Sequence, residues 1–165
     1  MKVVCELNGQ ECLLPDYISQ FILSASFIYC ATLNDTNNPQ IHPLLFVNEL
    51  GKCLLSFIQN INSDVIKNLQ RHPYLALTID NTDPENPFSN TGIMIEAIVK
   101  LSTSNQHIQN CFELLREKYG DNIVTKVLGI DIDTNYIKIQ ARPLKIVYWK
   151  GPFFQTYKCK QKKYT

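Results

Sequence analysis

The 165-residue sequence lacks the short motifs that mark most nucleotide, metal and hydrolase sites. It has no glycine-rich dinucleotide fingerprint, no phosphate-cradling loop ending in lysine, no nucleophile elbow and no histidine pair at metal spacing. Histidine is scarce. His42, His72 and His107 lie far apart and have ordinary places in a strand, at a helix end and on a helix surface. The six cysteines (Cys5, Cys12, Cys30, Cys53, Cys111 and Cys159) form no CxxC pair, which argues against both a zinc ribbon and a small disulfide scaffold. Cys30, Cys53 and Cys111 sit inside apolar patterns, where a thiol acts as a small hydrophobe; no bound metal is expected. No apolar run approaches the ~18 residues of a membrane span. Glu6, Asn8 and Gln10 interrupt the N-terminal segment too early for a secretory leader, so the expected compartment is the cytoplasm. Charge of one sign is lacking too: sixteen Lys and Arg face fifteen Asp and Glu, a net +1 that provides no field for nucleic acid or a membrane surface. The one asymmetry, Lys158, Lys160, Lys162 and Lys163, reads as a solvated terminus.

What remains is an ordinary globular composition, 45% hydrophobic and 19% charged, of a length that suits one domain over residues 1–165. Residues 15–22 read as a short helix. Residues 27–33, 41–47 and 53–58 then read as three strands of an antiparallel meander, separated by the Asn34 to Pro39 turn and a turn at Gly51. Pro43 inside the second strand points to an edge position. Ser63 can cap a helix carrying Val65, Ile66 and Leu69 that stops at His72-Pro73. Residues 74–80 and 92–102 alternate as strands, the latter with Ile93, Ile95, Ala97, Val99 and Leu101 on one face. A long helix from Ser104 to Gly120 follows, then a shorter one near Val124 to Leu128, and a last strand from 136 to 149 bulged at Arg142-Pro143. Asp131 and Asp133 read as loop residues rather than catalytic acids. The class is mostly β within α+β. Strands that follow one another through hairpins favour an antiparallel barrel over a doubly wound sheet.

The chemistry-bearing stretch is Ser56 to Arg71. Here a strand end runs through polar residues into a helix N-terminus, with Ser63, Lys67 and Arg71 along one face. Free N–H donors, the positive end of the dipole and a lysine suit a phosphate monoester, although a capped surface helix has the same residues.

The order of elements resembles the pyridoxamine-phosphate-oxidase-like split-barrel family. The resemblance is carried by Tyr29-Cys30-Ala31-Thr32-Leu33, by the Pro-containing strand Pro39 to Phe46, by the segment Lys67-Asn68-Leu69-Gln70-Arg71-His72-Pro73, by Glu96-Ala97 and by the closing strand Arg142 to Trp149. It implies an antiparallel split β-barrel of about six strands with peripheral helices, forming a homodimer with FMN at the subunit interface. The flavin would act as an oxidoreductase cofactor on a small-molecule substrate, so no catalytic side chain is named. The implied cofactor contacts are Ser56, Phe57 and Ile58 along the isoalloxazine, Ser63, Lys67 and Asn68 near the phosphate, and His42 and Pro43 beside the ring. A flavin or deazaflavin carrier and a haem-binding relative with His42 or His72 as axial ligand are the alternatives. Two departures stand out. Val65 and Ile66 occupy the places where the family often carries its phosphate-binding cation, and no arginine-rich C-terminus is present to hold pyridoxamine phosphate as substrate.

Overall fold

The computed structural model describes residues 2–5, 11–49, 54–129 and 135–159. Cys53, the turn at Gly51, Asp131, Asp133, Lys160, Lys162 and Lys163 lie outside the described residues. The strands are β1 (Lys2–Cys5), β2 (Glu11–Leu13), β3 (Ile28–Leu33), β4 (Pro39–Leu44), β5 (Val47–Glu49), β6 (Leu54–Asn60), β7 (Tyr74–Asn81), β8 (Thr91–Ser102), β9 (Tyr136–Lys150) and β10 (Phe153–Cys159). The helices are α1 (Asp16–Ser24), α2 (Asp64–Arg71), α3 (Asn105–Tyr119) and α4 (Asp121–Leu128).

All pairings are antiparallel, in the order β2-β1-β10-β9-β8-β7-β3-β4, with β6 also on β9 and β5 on β6. Two chain segments change partners, and these changes make the barrel split. The first is β4 to β5. The expected strand 41–47 is two strands here: β4 pairs with β3 up to Leu44, then β5 joins β6 from Val47. Pro43 sits at the sheet edge, as its missing N–H requires. The second is β9, whose residues 136–141 pair with β6 while residues 145–150 pair with β10. The switch falls at Arg142-Pro143, beside a register shift between Glu96 and Ala97 on β8.

Strand alternation builds the core. Ile93, Ile95 and Ala97 of β8, Leu75, Leu77 and Ile79 of β7, Cys30 of β3 and Phe57 of β6 point into the barrel, joined by Ile18 and Ile22 of α1 and by Val65, Ile66 and Leu69 of α2. Each such aliphatic side chain contributes about 1.5–3 kcal/mol on burial. A second core lies on the opposite face of β5 and β6, where Ile108, Cys111, Phe112 and Leu115 of α3 and Val124 of α4 cover Val47 and Ile58. Gly120, at φ +82°, takes the left-handed turn between α3 and α4.

The terminal pieces differ from the sequence expectation. Residues 2–5 and 11–13 form strands, and residues 153–159 form β10 along β9, so Lys158 belongs to a strand, paired across from Lys145, rather than to a loose terminus. Alternation over these short runs is too brief to register as a strand by pattern alone.

Candidate functional site

The partner change between β4 and β5 leaves two strand edges without a neighbouring strand among the described residues: the outer edge of β4, and β6 beyond Ser56 on the side away from β9. Helix α2 closes this seam. Val65, Ile66 and Leu69 are at most 2% exposed, and the buried Asn68 ties both sides together. Its Nδ2 donates to Thr32 Oγ1 of β3 (2.9 Å) and to Gln40 Oε1 of β4 (2.8 Å).

The residues expected around a flavin distribute unevenly about the seam. His42 and Pro43 are consecutive on β4 and therefore face opposite ways. His42 lies opposite Cys30 on the inner face, with its Nε2 buried and unpartnered; Pro43 is exposed on the outer face. Ser56, Phe57 and Ile58 are all buried: Phe57 points into the barrel core, and Ser56 and Ile58 point to the side covered by α3 and α4. Only backbone groups of this segment remain for a ligand at the open edge of β6. Asn68 is a structural tie rather than a free ligand group.

At the phosphate end the charge is arranged unfavourably. Ser63 caps α2, its Oγ accepting from Ile66 N–H at 3.3 Å. The first turn carries the acid Asp64, and Lys67 Nζ pairs with Asp64 Oδ1 at 3.3 Å, both side chains more than half exposed. Arg71 sits in the last turn. No unpaired cation therefore stands at the helix N-terminus among the described residues.

Sequence reasoning missed two features. The first is a buried polar cluster. Glu49 Oε1 receives Lys138 Nζ (2.5 Å), Ser56 Oγ (2.6 Å) and Gln140 Nε2 (3.2 Å), with the Glu49 and Lys138 side chains 11% and 6% exposed. Burial pushes the Glu49 carboxyl up, but the three hydrogen bonds and the Lys138 charge outweigh it and hold the group at about 2. In the sequence, Lys138 and Gln140 only alternate with apolar residues; the packing of α3 and α4 over this face is what encloses them. The second is an apolar outer sheet face. Tyr29 and Leu33 of β3, Ile41 of β4 and Tyr74 of β7 share it by register and are 40–68% exposed. Next to it, at the other end of β3 from Asn68, a cavity of about 410 Å³ is lined by Phe27, Tyr29, Asp80 and Asn81 among others.

The sequence profile described as pyridoxamine 5'-phosphate oxidase matches residues 14–148. No curated protein matches the chain. Solved structures do. A conserved hypothetical protein from Mycobacterium tuberculosis superposes with a TM-score of 0.70 at 14% identity, over 86% of this chain and 87% of the other. An F420 reductase gives 0.63 at 16% identity, over 81% and 98%. The haem storage protein HutZ from Vibrio cholerae gives 0.63 at 14% identity, over 80% and 91%. At these identities the likenesses establish the fold.

Proposed function

The chain belongs to the pyridoxamine 5'-phosphate oxidase family, and from that premise we propose that it is a homodimeric flavin-binding protein acting as an oxidoreductase on a small organic substrate in the cytoplasm. The observation that carries this reading is the outer sheet face of β3, β4 and β7, at the free edge of β4, whose large apolar residues are exposed. Contiguous apolar surface of this kind marks an interaction site. A second protomer laid on the face would shield it and wall off the strand edge, giving a flat ligand an apolar slot with backbone donors and acceptors along one side. FMN is the flavin that the family resemblance implies; the ring end supports it and the phosphate end does not. When bound, the flavin would supply the electron transfer, and this chain's residues would supply the slot.

Haem is the second reading, favoured by the buried, unpartnered Nε2 of His42 on the wall of the seam. One absorption spectrum of the purified protein decides between them. The expected outcome is the two bands of an oxidised flavin after reconstitution. A Soret band lost in His42→Ala would favour haem, and the absence of both chromophores would contradict each reading. Because no cationic cluster takes a phosphorylated substrate here, pyridoxamine phosphate should give no pyridoxal phosphate in a peroxide-coupled assay.

A further inference from the structure

We propose that this protein holds the flavin ring without a phosphate anchor, so that it takes riboflavin and FMN alike, and that Asp64 is the residue that sets this selectivity. The proposal rests on the flavin reading above and names the class of ligand: an isoalloxazine whose side chain needs no terminal charge.

The N-terminus of α2 is where an anion emerging from the seam would be received, since the helix dipole and the first-turn N–H groups point there. In this chain that end already has its anion. Asp64 occupies the first helical position with its carboxylate 62% exposed, complementing the dipole itself. A phosphate monoester brings about −1.5 to −2 charges at neutral pH and would have to settle beside that carboxylate. The cation closest in sequence, Lys67, is already engaged with Asp64 at 3.3 Å. The second and third helical positions are Val65 and Ile66, which are buried in the core and offer no side-chain donor. Two of the early donors are also taken: Ile66 N–H by Ser63 Oγ, and Lys67 N–H by Ser63 O.

Other cations stand elsewhere. Lys138 Nζ is buried against Glu49. Arg142 lies one residue beyond the Leu55–Ala141 pair, six residues or about 20 Å of strand from the level of Asn60, where β6 turns toward α2. Arg71 is at the far end of α2, seven residues or about 10 Å along the axis from Asp64. The cavity of about 410 Å³ beside the outer face is lined by Asp80 and no basic residue, so it provides no alternative phosphate seat.

The test is a set of titrations at low ionic strength, following quenching of flavin fluorescence, with riboflavin and FMN each added to wild type, Asp64→Asn and Asp64→Lys. Wild type should bind the two flavins within about threefold of each other, less than the tenfold that 1.4 kcal/mol would give. Asp64→Lys, a surface change that leaves the core untouched, should tighten FMN by about tenfold, the size of a charge-assisted contact. Riboflavin binding should not change, and Asp64→Asn should fall between. Wild-type FMN binding about tenfold or more tighter than riboflavin would overturn the proposal and leave the flavin reading standing. FMN binding that is indifferent to Asp64→Lys would overturn the role of Asp64. Folded protein that binds neither flavin would overturn the flavin reading and this inference with it.

Discussion

Glu49 and Lys138 are two charges inside a wall of the barrel, reachable by almost no water. Such a pair is retained only if every partner is in place, because removing one leaves the other charged and buried. Lys138→Met should therefore lower stability by about 3 kcal/mol, while adding Glu49→Leu should restore most of the loss. Urea midpoints of the three variants at neutral pH, with unchanged slope, check this. The same pair gives the protein a defined acid response. The Glu49 carboxyl is held at about 2 against an ordinary 4.5, so the folded state stays deprotonated where the unfolded chain takes up a proton. Its stabilisation is fully present above about pH 4.5 and is lost as pH falls from there through about 2. The unfolding midpoint should fall as pH is lowered from about 4.5 to about 2 in wild type, and fall less in Glu49→Gln; equal falls would show that other carboxylates control acid unfolding. None of this was legible in the sequence. Lys138 sits in a run that alternates like any half-exposed strand, and its burial depends on α3, which precedes it by some twenty residues in the chain and returns to cover it.

At the scale of elements, the sequence was far more informative. The Ser63 cap, the apolar stripe of α2 and its stop before Pro73 are local signals, and they placed the helix correctly. So did the alternation of β7 and β8 and the bulge near Arg142-Pro143. The break between β4 and β5 was not visible, because Leu44 to Val47 is uniformly apolar and buried and carries no turn residue. That break defines the seam, so the list of expected ligand residues around it was only partly realised: strand alternation separates His42 from Pro43, and burial removes Ser56, Phe57 and Ile58 as side-chain contacts. What joins the two sides of the seam is Asn68. Asn68→Ala leaves the buried Thr32 hydroxyl and the Gln40 amide oxygen without their donor and should cost about 1–3 kcal/mol. Amide exchange should locate the effect: faster exchange in α2 and β4, with β8 and β9 unchanged. Uniform acceleration would mean that Asn68 supports the whole barrel rather than the seam.

At the scale of the whole molecule, the sheet face that the proposed dimer would cover is exposed and apolar. On the outer face of β3, β4 and β7, Ile41 is 68% exposed and Tyr74 58%. In the proposed homodimer each protomer covers this face of the other, and the ligand slot exists only in the pair. Assembly and flavin retention must then fail together. The direct measurement is light scattering across a size-exclusion peak with flavin absorbance recorded over the same volume, for wild type and for Ile41→Lys, after both are reconstituted with riboflavin. Wild type should elute at twice the 19.0 kDa chain mass carrying flavin, and Ile41→Lys as a folded monomer without it. A wild-type monomer that retains flavin, or an Ile41→Lys monomer that keeps its flavin, would contradict this.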